Sequence, residues 1–292
     1  YRASRYGSPR AREVMPGEAE NYKLEIDVKD VTNGEILLEA KDIVKHFGGV
    51  KAVDGISVQF KAGEVHGIIG PNGSGKSTLI STLTRYHEAT SGSVILFGEE
   101  ADKKPFVVAR AGITRVFQIP HLFERVSVLD NVLTGMYRRD NYNIFDAIFR
   151  TSRYRKANSR SVAEAKALLS LSGMLEIEEL AAGSISHGQK RLLEVIRAVA
   201  THPKILILDE PATGLTQDEL NSLKSLIRKL AKAGMCVVLI EHNVAFLMDL
   251  ADIVTVIQNG KVIAEGAPHT VQNDQRVIDA YLGNTDFSKE LA

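Results

Sequence analysis

Gly70-Pro71-Asn72-Gly73-Ser74-Gly75-Lys76-Ser77-Thr78 is a complete G-x-x-x-x-G-K-S/T loop, entered from the apolar run Val65 to Ile69 and leading into Leu79-Ile80. The glycines let successive backbone N–H groups converge on the β- and γ-phosphates of a nucleotide. Lys76 adds a mobile positive charge there, and the Ser77 hydroxyl suits Mg²⁺. The plain alternative is a glycine-rich turn between a strand and a helix. Against it, Lys and Ser follow the last glycine, and strand and helix patterns lie where phosphate binding needs them. The loop predicts an α/β domain that binds a nucleoside triphosphate.

The 292 residues, 44% hydrophobic and 25% charged, suffice for one large core and a smaller satellite. Lys+Arg and Asp+Glu both total 36, so no global basic field argues for nucleic acid. Cys236 is the single cysteine; set in the apolar run Met235 to Ile240, it reads as small core filler in a reducing compartment. No apolar stretch reaches the roughly 18 to 20 residues that cross a bilayer and no secretory leader is visible, so a membrane role is expected to run through a partner. Residues 1–34 lack apolar periodicity, and within the first sixteen Arg2, Arg5, Arg10 and Arg12 stand against only Glu13. They read as a linker or docking arm. Opening on Tyr1, the chain is expected to be processed or cut from a longer polypeptide, with fusion to a permease as one form of it.

From about residue 35 the pattern is α/β. Ile56, Val58 and Phe60 alternate as in a half-buried strand, and Ser93–Phe97 and Ile113–Phe117 read as further short strands. Ile205–Leu208 and Cys236–Ile240 are unbroken apolar runs, suited to central parallel strands covered on both faces. Ile253–Ile257 and Val262–Ala264 flank Asn259-Gly260, a strong hairpin signal. Helical periods take over from about 121 to 185, with Val128, Val132 and Met136 and later Val162, Ala165, Leu168 and Leu169. The expected organisation is a first core part over 35–120, a helical insertion over 121–185, a second core part over 186–266 and a tail over 267–292.

Ile205 to Leu208 runs into Asp209-Glu210, which places two carboxylates at the carboxyl edge of the sheet beside the phosphate loop. Asp209 would hold Mg²⁺, directly or through water, and Glu210 would polarise the attacking water. Strands ending in acids are common, and the phosphate loop upstream is what gives this pair its weight. Ser186-His187-Gly188-Gln189 precedes a helix whose Leu192, Leu193, Ile196 and Val199 recur at helical spacing. Ser186 and Gln189 fit a capping box, and the same helix start, with free N–H groups and a favourable dipole, suits a γ-phosphate.

Together these segments, over about residues 36 to 284, resemble the nucleotide-binding subunit of an ATP-binding cassette (ABC) transporter. The resemblance implies a P-loop NTPase cassette: a RecA-like mixed sheet core, an antiparallel β subdomain and a helical insertion. Ile185-Ser186-His187-Gly188-Gln189 stands where the family has L-S-G-G-Q, which completes the second subunit's ATP site in a head-to-tail dimer; His187 and Ile185 depart from that pattern, while Ser186 and Gly188 are intact. Phe47 matches the aromatic that stacks on adenine, an interaction on the order of 1 to 3 kcal/mol. Gln118 matches the glutamine that senses Mg²⁺ and water and couples the insertion to the sheet. His242 matches the switch histidine that links the γ-phosphate to the catalytic carboxylate. Thr216 stands where the family's interface loop often carries aspartate, and with Glu219 it forms another capping pattern.

Phe47-Gly48-Gly49, Phe117-Gln118 with Leu122-Phe123, the segment Phe145–Arg160, Ile240-Glu241-His242 and the tail Val277–Gly283 resemble branched-chain amino acid import ATPases, a pattern shared with urea and amide importers. Lipopolysaccharide-export ATPases share a similar His-Asn-Val and Tyr-Leu-Gly but usually have glutamate in place of Gln189. A soluble cassette acting on DNA or ribosomes would carry a long coiled-coil insertion, a tandem cassette or a basic balance. The expected protein is an ATPase using Mg²⁺ on the cytoplasmic face of the inner membrane. Its expected partners are a second ATPase subunit, identical or related, and permease subunits gripped through residues 119–150. A periplasmic or extracellular solute-binding protein would act indirectly, and no nucleic acid is expected.

Overall fold

Alternating side chains build a first, antiparallel sheet. The structure, a computed structural model, describes residues 31–101, 104–118, 121–137, 144–149 and 151–282. The expected arm, up to residue 30, and parts of the expected permease surface, at 119–120, 138–143 and 150, lie outside the described residues, as does Gly283. Strands β1 (Ile36–Phe47) and β2 (Val50–Lys61) form a hairpin in which Ile56, Val58 and Phe60 are buried while Ser57 and Gln59 are exposed. After β3 (Val65–Ile69) and α1 (Lys76–Leu83), β4 (Ser91–Leu96) and β5 (Glu99–Glu100) complete a four-stranded sheet of order β2-β1-β4-β5. Next come α2 (Pro105–Ala111) and β6 (Ile113–Val116).

The helical insertion follows as α3 (Val128–Met136), α4 (Ile144–Ile148) and α5 (Ser152–Leu171). Val128, Val132 and Met136 are buried on one face of α3, and Val162, Ala165, Leu168 and Leu169 on one face of α5. Helix α6 (His187–Val199) returns the chain to the core, where β7 (Ile205–Asp209), α7 (Gln217–Lys232), β8 (Cys236–Ile240) and α8 (Val244–Leu250) alternate. A hairpin of β9 (Ile253–Gln258) and β10 (Lys261–Gly266) turns on Asn259 at φ 49 and Gly260 at φ 76, the two left-handed positions that such a turn requires. Helices α9 (Pro268–Gln272) and α10 (Gln275–Leu282) end the described chain, and no described helix is long and apolar enough to cross a membrane.

The second sheet has the order β10-β9-β3-β8-β7-β6, parallel except for β10. Its central runs are apolar without a break because both faces are covered. Ile205, Ile207, Val238 and Ile240 pack with α1 and the antiparallel sheet, whereas Leu206, Leu208, Val237 and Leu239 pack under the insertion, α6 and α7. Cys236 belongs to the first of these cores, and burial pushes its thiol pKa up. Parallel strands point their carboxyl ends the same way. The segments after β3, β6, β7 and β8, which carry the phosphate loop, Gln118, Glu210 and His242, therefore emerge at one edge.

Candidate nucleotide site

The loop after β3 takes its shape from three glycines. Gly73 and Gly75 have φ of 76° and 108°, and a Cβ on Gly70 would fall 2.0 Å from the Ile257 carbonyl oxygen, on Gly75 2.2 Å from that of Ala52. Lys76 opens α1 and bends back over the loop, donating to the carbonyls of Gly70 at 2.7 Å and Pro71 at 3.1 Å. Burial lowers its pKa, and the charges of Glu210 and Asp209 hold it up. A cavity of about 520 Å³ opens here, lined by Val50–Ala52, residues 72–78, Glu210, His242 and Asn259. A buried ammonium beside converging N–H groups fits a polyphosphate, and the cavity is of nucleotide size.

Glu210 leaves β7 with φ of 48°, a left-handed backbone uncommon for a residue with a side chain, and its N–H donates to Ile240 O at 2.9 Å. Its carboxylate is held from two sides. Gln118 Nε2 donates to Oε2 at 2.5 Å, and His242 Nε2 stands 2.8 Å from Oε1. Three residues predicted from separate segments thus meet on one carboxylate at the cavity wall.

Asp209 is met differently. Its Oδ2 accepts from Arg115 Nη2 at 2.5 Å; the same guanidinium reaches Ser81 Oγ at 3.2 Å and lies 4.8 Å from the Phe117 ring centre. Phe47, 45% exposed at the end of β1, stands edge-on to His87 at 5.3 Å with Lys45 Nζ 4.9 Å from its ring centre. Val50 lines the cavity, and Phe47 does not.

Ser186 to Gln189 lie apart from this cavity. Ser186 caps α6, its Oγ accepting from Gln189 N at 3.1 Å while Gln189 Oε1 accepts from Ser186 N at 2.9 Å. Thr216 and Glu219 cap α7 in the same reciprocal way. Ser186 Oγ also donates to Glu219 Oε1 at 2.9 Å.

Three further side chains support the site without having been singled out as site residues in the sequence. Arg115 is one. Arg191, in α6, donates to the carbonyl oxygens of Phe117 at 2.5 Å and Asp209 at 2.6 Å and is paired with Glu194 at 2.9 Å. Its signal was an arginine three residues after Gly188, on the buried face of the helix. Glu241 is buried and accepts from Ala212 N at 2.7 Å. Burial pushes its pKa up to about 7 against the pull of backbone N–H donors, and the Glu210 charge adds to the rise.

A larger cavity of about 730 Å³ lies away from the phosphate loop, between α2, β6 and residues 201–204, with Tyr86, Phe106 and Phe117 on its wall. It borders the site through Arg115, the partner of Asp209, and through Phe117, the residue before Gln118.

The family described as ABC transporter matches residues 53–213, and one described as branched-chain amino acid ATP-binding cassette transporter matches residues 261–286. The high-affinity branched-chain amino acid transport ATP-binding protein BraF of Pseudomonas aeruginosa is 36% identical over 249 residues, 85% of this chain and 98% of that protein. The corresponding LivG protein of Escherichia coli is 33% identical over the same shares. Among solved structures, the ADP conformation of an ATP-binding cassette of an ABC transporter superposes with a TM-score of 0.74 at 32% identity, covering 86% of this chain and 100% of that one.

Proposed function

This chain belongs to the ABC transporter family and is an ABC ATPase, and from that premise we propose that it powers import of branched-chain amino acids, or a related small polar solute, through a partner permease. The observation that carries the catalytic part is the Glu210 carboxylate, gripped by Gln118 and His242 at the wall of the phosphate-loop cavity. The match over residues 261–286 supports the importer group over the lipopolysaccharide-export group.

ATP is the substrate. Its phosphates would lie against the N–H groups of residues 70–78, with Lys76 exchanging its loop carbonyls for phosphate oxygens and Phe47 turning its exposed ring to adenine. Ser77, Asp209 and Gln118 would hold Mg²⁺, which supplies positive charge to the β- and γ-phosphates. Phosphoryl transfer asks mainly for positioning and charge stabilisation. Glu210 accepts a proton from the attacking water. Gln118 and His242 keep its two oxygens aimed, and His242 is the group that reports the γ-phosphate to it.

In a head-to-tail dimer, Ser186, Gly188 and Gln189 of one subunit would close over the nucleotide of the other. Closure and hydrolysis would drive a permease seated on the insertion side. The aromatic-walled cavity supports that placement, since its wall joins Phe117, the residue before Gln118, to Gly135 of α3. The subunit would then work at the cytoplasmic face of the membrane, held there by its permease. A solute-binding protein outside would deliver the cargo.

Glu210→Gln tests the assignment. It removes the base while keeping side-chain shape, so ATP binding should persist and turnover with the permease present should fall by roughly 10²-fold or more. Near-normal phosphate release from that variant would overturn the role of Glu210.

A further inference from the structure

The Ser186 hydroxyl has one proton to give. It goes to Glu219 Oε1, 2.9 Å away, while the oxygen accepts the N–H of Gln189 at 3.1 Å. No donor remains on this side chain for a phosphate oxygen. Glu219 also covers the neighbouring glycine: a Cβ on Gly188 would lie 2.0 to 2.2 Å from the carboxyl carbon and both oxygens. Gly188 is accordingly buried although Ser186 and His187 on its amino side are exposed. A carboxylate thus sits where, on the proposed head-to-tail reading, a phosphate from the second subunit must arrive.

The hold on Glu219 is asymmetric. Oε2 accepts from Thr216 N at 2.9 Å and Thr216 Oγ1 at 3.1 Å as part of the cap of α7. Only Oε1 reaches Ser186. The contact with Ser186 can therefore break while the cap survives; uncovering Gly188, which both oxygens face, needs the Thr216 loop to move with the carboxylate. The tether is Thr216, in the loop that leads from Glu210 to α7. The His187 ring leans on the same loop, 3.4 Å from where a Cβ on Gly214 would stand. Backbone and hydroxyl donors, Thr216 N first, hold the Glu219 pKa below its ordinary value, so the covering group is an anion at neutral pH.

We propose that Glu219 is a carboxylate gate on the Ser186–Gln189 segment: in the free subunit it occupies Ser186 and covers Gly188, and it must release both before the γ-phosphate of ATP held by a second subunit can bind. The inference rests on the head-to-tail reading above. Like charge sets the competition, since carboxylate and phosphate cannot share one hydroxyl and one glycine face. Contact of the second subunit with the Thr216 loop supplies the displacement.

The test uses the full chain carrying Glu210→Gln, titrated with MgATP while its dimer fraction is read by analytical ultracentrifugation. Adding Glu219→Gln keeps a residue that can complete the capping box of α7 but removes the charge. The ATP concentration for half-maximal dimer should fall roughly fivefold, the scale of exchanging a charge-assisted hydrogen bond for a neutral one. The nucleotide-free melting temperature should stay with the parent. Glu219→Ala, which also loses the carboxylate half of the capping box while Thr216 still caps the helix, should move the ATP midpoint the same way while melting lower. An unchanged or raised midpoint in both variants overturns the gate. Absence of ATP-dependent dimer in the parent and both variants overturns the head-to-tail reading together with the gate that rests on it, a pattern distinct from dimers with unshifted midpoints.

Discussion

Glu241 is a carboxyl group placed where a charge is costly, one residue before His242 and under the loop that leaves Glu210. Its titration near 4.5 in the unfolded chain moves up to about 7 in the folded one, chiefly through burial. Between those values the folded state binds a proton that the unfolded state has lost. The group's stabilising contribution is therefore complete below about pH 4.5 and disappears as pH rises through about 7. Glu241→Gln keeps an oxygen for Ala212 N–H and is neutral throughout, so it should remove this slope, on the order of 3 kcal/mol. Scanning calorimetry between about pH 5 and 8 should show the variant gaining several degrees on the parent. Parallel profiles would mean that Glu241 is ionised in the fold.

Helices α3 and α6 are brought together by a missing side chain. A Cβ on Gly135 would stand 2.4 Å from the carbonyl oxygen of Arg197 and 3.0 Å from the Ala200 Cβ, and a backbone carbonyl cannot swing aside as a side chain can. Gly135→Ala should thus push the insertion off α6, at about 1–3 kcal/mol. Urea unfolding should show a lower midpoint, and hydrogen exchange should show α3 opening more readily; an unmoved midpoint would place the helices farther apart. What could be read in the sequence at this scale was what is local. The capping pairs Ser186–Gln189 and Thr216–Glu219 are three residues apart, and the Asn259-Gly260 turn needs only its neighbours. The buried strands announced themselves because covering both faces leaves no polar alternation. The illegible part is the long-range pairing of polar and charged groups. Arg115 and Asp209 are separated by 94 residues, Arg191 and Phe117 by 74, and Ser186 and Glu219 by 33. Spacing along the chain does not say which carboxylate a guanidinium or hydroxyl will find, so the grip of α6 on the Asp209 carbonyl and the cover over Gly188 emerged only in three dimensions.

Across the whole molecule, a parallel sheet does the gathering: Gln118, Glu210 and His242 follow strands β6, β7 and β8 and meet at one edge because those strands run the same way. The cavity is lined entirely from residues 50 to 259, and hydrogen bonding of the described chain begins with Thr32 N on Glu35. A chain lacking residues 1–30 should therefore keep the rise in melting temperature that MgATP gives the full chain by mass action. A lost or halved rise would assign the arm a share in nucleotide binding. The phosphate loop also has neighbours on both sheets: Gly70 abuts Ile257 of β9, Gly75 abuts Ala52 of β2, and Gly260 N–H donates to Ser74 O at 2.8 Å while its own carbonyl accepts from Asp54 N at 2.8 Å. The loop is a keystone between the two sheets as much as a cradle for phosphate. That gives decay an order. In a descendant released from hydrolysis, Glu210 or His242 could drift without disturbing a sheet, whereas a side chain at Gly70 would drive the loop off β9 and one at Gly75 would drive it off β2. A degenerate copy of this protein should keep a phosphate loop that looks functional long after the carboxylate beside it is gone, and a surviving loop in such a copy testifies to folding before it testifies to catalysis.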